Sequence, residues 1–256
     1  MLGVASQVAI GNKILGALPR PEFNRISEHL ETVHLQREEV VYIPGERARF
    51  VYFPVKGLLS LTSITETGST VELAMCGTEG MVGVSALNKM GTVPYEVVVR
   101  IATDALRIKA TVLREEFDRG GQLKDLMFVY VGMLMAEIAQ SSICHRFHRV
   151  EQTLSRWLLA VQDRIDSDTL DLTQEIISDA LGVPRTGVTM AARSLQGAGL
   201  IRYSRGKIVI IDRTGLERRS CECYRVIRDE VKHFPEALTD ILERFCANNP
   251  LSRSIL

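Results

Sequence analysis

Four residues in one stretch of the chain are spaced to share a single helical face. Thr186, Thr189, Met190 and Arg193 fall at i, i+3, i+4 and i+7, so a helix would align them. A hydroxyl group donates and accepts hydrogen bonds and a guanidinium donates them, so this face can contact the edges of base pairs. These side chains can therefore recognise a surface by its pattern of hydrogen-bond donors and acceptors.

The neighbouring residues position that face through two helices and a tight turn. Thr173 is the expected N-cap of a first helix over Thr173–Leu181. Gly182 gives the backbone freedom to turn, and Pro184 opens a second helix over Arg185–Gln196. The opposite faces of the two helices predict a small shared core, made of Ile177, Leu181, Val183, Val188, Ala191 and Leu195. This is the layout of a helix-turn-helix, whose second helix enters the major groove of DNA.

A basic hairpin is predicted directly after the second helix. Arg202–Tyr203 and Lys207–Ile211 form its strands, and Ser204-Arg205-Gly206 forms its turn. From residue 172 to 219 there are eight Lys and Arg against four Asp and Glu, an excess of +4, in a chain whose formal net charge is +0. A local positive excess is typical of a surface that contacts phosphates, so the hairpin indicates a winged helix-turn-helix. The alternative is an ordinary helical hairpin with a solvated polar face.

The composition excludes several classes of protein. Of 256 residues, 46% are hydrophobic and 24% charged, which is ordinary for a soluble folded chain with room for two domains. Neither an apolar run that would span a bilayer nor a signal peptide is evident, so we expect a cytoplasmic protein with no membrane partner. Five cysteines, an odd number, do not indicate a disulfide framework. Without a G-x-S-x-G, P-loop lysine or H-E-x-x-H motif, we expect no enzyme.

The first half of the chain is predicted to be a β domain. A short helix over Pro21–Leu30 precedes β-branched and aromatic residues that alternate with Gly, Pro and charged turns from Val33 onwards. Such short strands at close spacing predict an antiparallel β roll of the jelly-roll kind. The fold class is α+β, with a sensor-like β roll over 1–120, a winged helix-turn-helix over 148–225 and a helical tail over 226–256.

Residues 121–147 are predicted to form a long helix between the two domains. Apolar and small residues recur at alternating four- and three-residue steps, as in a coiled-coil seam, at Met127, Val131, Leu134, Ile138 and Ser141. We interpret this segment as a dimerisation helix, because a helix-turn-helix gains affinity and half-site specificity by pairing. The alternative is a helix that packs on its own β domain.

The order of these parts resembles the Crp/Fnr superfamily of bacterial transcription regulators, over nearly the whole chain. The resemblance is strongest from residue 148 to 224, in VEQTLSRWLLAVQDR, LTQEIISDALGVPR, GLIRYSRGKIVIIDR and LERRSCECY. It implies a homodimer that binds a palindromic operator in double-stranded DNA. It also implies RNA polymerase as a partner and leaves open an unidentified small-molecule effector.

The resemblance assigns roles to individual residues of the helix-turn-helix. Arg185 stands where such proteins place an arginine that donates two hydrogen bonds to guanine O6 and N7. Met190 takes a position where other members carry a polar residue, and it can contact a thymine methyl. The base-reading set is Arg185, Thr186, Thr189, Met190 and Arg193. The phosphate-binding set is Thr173, Gln174, Arg205 and Lys207.

The β roll departs from the best-known members of the superfamily. Cyclic-nucleotide binders carry Gly-Glu and, downstream, Arg-Ser or Arg-Ala, where this chain has Gly83-Val84 and Tyr95-Glu96. Glu96 would repel a nucleotide phosphate, so we do not expect cyclic AMP as the effector. Members with an iron–sulfur cluster use N-terminal cysteines, and this chain has none before Cys76.

Two pairs of residues have side chains that bind metals. Cys144 and His148 stand one helical turn apart, a spacing that more often reflects helix packing than a metal site. Cys221 and Cys223 lack the C-x₂-C spacing of common zinc sites. We therefore assign no metal and no cofactor from the sequence, and a redox role for the second pair stays open.

Two other functions compete with DNA reading. The chain could be a ligand-binding or protein-interaction module whose helix-turn-helix does not read DNA. Such a module would not require Arg185 or a basic wing, and its binding would not depend steeply on salt. An enzyme that uses the cavity of the roll would need a catalytic constellation, and the sequence offers none.

Overall fold

The computed structural model describes residues 11–87 and 91–231 and contains two domains joined by a long helix. The helices are α1 (Lys13–Gly16), α2 (Arg20–Ser27), α3 (Ala110–Arg119), α4 (Gln122–Phe147), α5 (Val150–Ile165), α6 (Gln174–Leu181), α7 (Arg185–Gly197) and α8 (Arg213–Arg219). The strands are β1 (Glu31–Leu35), β2 (Val40–Tyr42), β3 (Phe50–Pro54), β4 (Leu58–Ile64), β5 (Thr70–Cys76), β6 (Glu96–Ile101), β7 (Thr103–Lys109), β8 (Thr169–Leu170), β9 (Ile201–Ser204) and β10 (Lys207–Ile210). Residues 223–231 are also helical, and the rest of the expected tail lies outside the described residues.

The first domain is the antiparallel roll that the sequence predicts. One sheet has the strand order β1-β7-β3 and the other has the order β2-β6-β4-β5, and every pair is antiparallel. Alternate side chains point inward, as in β3, where Val51 and Phe53 are fully buried and Phe50 and Tyr52 are half-buried. The predicted α+β class is confirmed, because these β-branched and aromatic strands are followed by long helices.

Helix α4 packs against its own β domain, and this corrects the predicted dimer seam. Met127, Leu134 and Ser141 are only 1%, 6% and 5% exposed, and Val131 and Ile138 are half-buried. Met127 and Leu134 belong to the core of the protomer and Ile138 packs against it, so the predicted register of the seam is wrong at these positions. The open stripe lies one residue further along and consists of Phe128, Gly132, Met135, Ala139 and Ser142.

Length and composition alone would also allow α4 to cross a membrane, and no other helix among the described residues meets that criterion. Gly132, Gln140 and Ser141 interrupt the apolar residues of α4, so the sequence shows no unbroken apolar run there. The buried side of α4 carries Glu137, which is 3% exposed and ion-paired inside the protein. A core helix of a soluble protein meets the same criterion, so the composition of α4 is weak support for a membrane span.

Two buried side chains of α5 make three hydrogen bonds that hold it against the β domain and α4. Trp157 donates through Nε1 to the Glu72 carboxylate on β5, at 2.7 Å. Arg164 donates through Nε to Glu79 at 2.8 Å and through Nη2 to Glu137 on α4, also at 2.8 Å. The side chains of the Arg164–Glu79–Glu137 cluster are at most 4% exposed. These contacts fix the orientation of α5, on which the helix-turn-helix is built.

Candidate DNA-binding surface

Local sequence signals set the geometry of α6, the turn and α7. The Thr173 hydroxyl accepts a hydrogen bond from the backbone N–H of Ile176 at 3.2 Å and so caps α6, as predicted. Gly182 ends the helix in a left-handed conformation, with φ +63°, that a side chain would strain. The Ser178 hydroxyl donates to the Val183 carbonyl at 2.6 Å and closes the turn. Ser178 therefore joins α6 to the turn that follows it.

The buried side of α7 holds the recognition helix in place. Val188, Ala191 and Leu195 are at most 5% exposed and pack with Ile177 and Leu181 of α6. This is the small core that the spacing predicts, with Val183 packed against its edge. Because one face of α7 is buried, the face opposite it must point away from the protein.

The five predicted base-reading residues lie together on the open side of α7. Arg185, Thr186, Met190 and Arg193 are exposed, Met190 by 72%. Thr189 is half-buried, and its hydroxyl donates to the Arg185 carbonyl at 2.9 Å.

Arg185 has a partner on α6 that the sequence reading missed. Its guanidinium is ion-paired with Glu175, and both side chains are more than 60% exposed. Exposed ion pairs contribute about 0–1 kcal/mol, so a guanine can replace the carboxylate at little cost. The signal was present in the sequence, because Glu175 lies in the first turn of the helix that precedes Arg185.

The wing is a three-stranded sheet with the order β8-β10-β9. Ser204 pairs with Lys207, so Arg205 and Gly206 form a two-residue loop with φ values of +46° and +79°. This loop type favours Asn or Gly, and an arginine there is strained. The Arg205 side chain is exposed at the tip of the wing. A strained and exposed residue at this position is consistent with a role in binding a partner and not in stabilising the fold.

The other predicted phosphate-binding residues gather at the same edge. A Cβ on Gly206 would lie 3.4 Å from the Thr173 methyl, which places the wing tip beside the start of α6. Gln174 is the first residue of α6 and is half-buried, and Lys207 is exposed and 3.5 Å from Asp171. The wing is also pinned to α7, because the Gln196 side chain accepts a hydrogen bond from the Tyr203 backbone at 2.8 Å. No sequence motif predicts the Gln196–Tyr203 contact.

In the β roll, protein side chains surround Gly83 and Glu96, which belong to the two pairs that differ from those of cyclic-nucleotide binders. Gly83 has φ +99°, and a Cβ there would lie 2.5 Å from the Tyr42 hydroxyl. Tyr42 is buried and donates to the Phe50 carbonyl, and burial raises the pKa of its phenol, so it stays protonated. Glu96 is half-buried and accepts a hydrogen bond from the Thr62 hydroxyl at 3.4 Å. These contacts offer no cation to a phosphate.

Comparison with known proteins agrees with this arrangement. A model of the cyclic nucleotide-binding domain matches residues 32–119, and a model of the Crp-like helix-turn-helix domain matches residues 152–219. A global nitrogen regulator from Nostoc sp. (strain PCC 7120) is 24% identical over 195 residues, which are 72% of this chain and 86% of that protein.

Solved structures share the fold. FixK2 from Bradyrhizobium japonicum has a TM-score of 0.66 and 17% identity, over 75% of this chain and 98% of its own. A regulator of the Crp/Fnr family from Eubacterium rectale has a TM-score of 0.65 and 19% identity, over 81% of this chain and 97% of its own. With both domains matched in this order, the chain belongs to the Crp/Fnr superfamily of transcription regulators.

Proposed function

We propose that the protein acts as a homodimer that binds a near-palindromic operator, with one α7 in the major groove of each half-site. The observation that carries this proposal is the open polar face of α7, which lies opposite a buried apolar face. Half-sites would lie one helical turn apart, about 34 Å. Arg185, Thr186, Thr189, Met190 and Arg193 would face the bases.

The wing and the start of α6 would position the protein on the DNA backbone. Thr173 lies beside the wing tip and Lys207 lies near Asp171, which supports a shared role for Arg205, Lys207, Thr173 and Gln174. Contacts of this kind fix register without reading sequence, and each charged contact adds to the salt dependence of binding. RNA polymerase is a further partner in this proposal. The protein would bind both the operator DNA and RNA polymerase in the cytoplasm.

The open stripe of α4 would pair with the same stripe of a second copy. Phe128 and Met135 are 59% and 65% exposed, and the small residues Gly132, Ala139 and Ser142 stand between them. Large and small residues at four- and three-residue steps let two helices approach closely. A second copy would cover this apolar stripe and place two recognition helices on one operator.

Operator binding in this proposal does not need a cyclic nucleotide. Tyr42 fills the space beside Gly83, and the Glu96 carboxylate would repel a nucleotide phosphate. The identity of any other effector is left to a ligand screen on the β roll.

Selection of genomic fragments by the purified, ligand-free protein tests the proposal. We expect recovery of a palindrome, a steep loss of affinity with salt, and no change on addition of cyclic AMP. A shallow salt dependence, or no recovered sequence with or without candidate effectors, would instead favour the protein-interaction module.

Replacing Arg185 by alanine should relax discrimination at one base pair of each half-site. Loss of a two-hydrogen-bond contact to guanine costs about 1–3 kcal/mol, or roughly 5- to 150-fold in selectivity. Competition binding against operators with each single base change measures this loss. Arg205→Ala is the matched control, since it removes the same charge from the wing tip and should weaken binding to all sequences alike. Unchanged selectivity in Arg185→Ala would show that α7 does not read the operator as proposed.

A further inference from the structure

Four metal-binding side chains meet where α4 ends. Cys144 and His148 lie one turn apart at the end of α4, and Cys221 and Cys223 follow α8. The four ligand atoms all lie within 4.8 Å of one another. The Cys144 and Cys221 sulfurs are 3.5 Å apart, and the Cys223 sulfur is 3.4 Å from Nδ1 of His148.

These separations suit a tetrahedral ion. Zinc bonds are about 2.3 Å to sulfur and about 2.0–2.1 Å to nitrogen, which places neighbouring ligand atoms about 3.5–3.8 Å apart. Cys144, Cys221 and Cys223 are at most 4% exposed. The three sulfur ligands are therefore buried together, and the His148 side chain, 13% exposed, lies at the edge of the cluster.

The groups around the cluster hold its ligands in the orientation that a metal requires. The outer nitrogen of His148, Nε2, is 3.2 Å from the Glu222 carboxylate, which leaves Nδ1 directed at the cysteines. This carboxylate–histidine arrangement is usual behind metal-bound imidazole. Gln140 donates to the Cys223 sulfur at 3.0 Å, as a thiolate would require.

A buried cation balances the charge of the cluster. Three thiolates and a divalent ion leave a net negative charge, and Arg156 is 3% exposed with no hydrogen-bond partner for its Nε among the described residues. The Arg156 guanidinium is close enough to Cys144 to interact with it electrostatically. It would therefore offset part of the negative charge of a metal-bound cluster of thiolates.

We propose that Cys144, His148, Cys221 and Cys223 form a closed, structural site for Zn²⁺. Four protein ligands leave no open position, which distinguishes structural from catalytic zinc. His148 caps the end of α4, and α5 begins at Val150, so the ion would tie the segment after α8 to the break between the two helices. Zinc would thus set the angle at which α5 carries the helix-turn-helix.

Metal analysis of the untagged full-length protein tests the site. We expect about one zinc ion per chain, lost in Cys223→Ser and retained in Cys76→Ser, a matched control because Cys76 is buried in the β domain. Glu222→Gln keeps all four ligands and should weaken zinc binding by about 10- to 100-fold. Protein that is stripped of metal should take up Co²⁺ with the visible absorption and thiolate-to-metal charge transfer of tetrahedral coordination.

Three results would overturn the site. They are wild-type protein without stoichiometric zinc or the tetrahedral Co²⁺ spectrum, zinc retained in folded Cys223→Ser, and a Cys144–Cys221 disulfide in protein purified without oxidant. Wild-type spectra and Glu222→Gln decide the matter even if Cys223→Ser does not fold. None of these measurements involves DNA. A failure of the metal site is therefore distinguishable from a failure of the proposed DNA binding.

Discussion

Replacing Arg164 by methionine should lower the free energy of unfolding by about 3–5 kcal/mol, because it strands two buried carboxylates. Glu79 and Glu137 lose their common partner and stay at most 4% exposed. Desolvation alone would lower the pKa of Arg164, but Glu137 and Glu79 raise it above its ordinary value, so the arginine is charged. The cluster joins the β domain, α4 and α5, so its loss should also loosen the helix-turn-helix.

Urea unfolding followed by circular dichroism measures the effect. Arg219→Met is the matched control, because Arg219 is 53% exposed and its ion pair with Glu151 contributes about 0–1 kcal/mol. Combining Arg164→Met with Glu79→Gln and Glu137→Gln should recover much of the loss, since no buried charge then lacks a partner. A loss no larger than that of Arg219→Met would show that the cluster does not hold the domains together.

Replacing Met135 by glutamate should abolish dimerisation and weaken operator binding by about 10²- to 10⁴-fold. Met135 lies at the middle of the open stripe of α4, and pairing would bury two such carboxylates against each other. A single helix-turn-helix would then lose the gain that comes from two linked half-sites. This prediction rests on the proposed homodimer.

Sedimentation velocity and operator titration together measure the outcome. Ile43→Glu is the control, since Ile43 is 52% exposed and lies in the segment between β2 and β3, outside the open stripe of α4. We expect Ile43→Glu to stay dimeric and to bind the operator normally. A dimeric Met135→Glu would place the interface elsewhere, and a monomer with full operator affinity would remove the need for pairing.

The helix-turn-helix could be predicted almost to the residue because its signals are local. Thr173, Gly182 and Pro184 each act on the backbone beside them, so α6 and α7 begin and end as the sequence indicates. The face of α4 could not be predicted in the same way. Met127 and Phe128 are adjacent and both large, and only the shape of the β domain decides which one is buried.

Contacts between residues far apart in the chain could not be predicted from the sequence pattern. Cys144 and Cys221 are 77 residues apart, and each pair of metal-binding residues was weak when judged alone. Arg164 carries no motif, and its two partners come from the β domain and from α4. Such clusters depend on how whole elements pack, which periodicity within one element does not encode.

The fluorescence of Trp157 reports on the junction between the two domains. It is the one tryptophan of the chain, is fully buried, and donates to Glu72 across the junction. Its emission comes from indole held in a dry site against a single carboxylate, with no competing tryptophan to subtract. Movement of the helix-turn-helix away from the β roll would admit water to the indole and shift its emission to the red. The unlabelled wild-type protein therefore carries its own reporter for screening effectors of unknown identity.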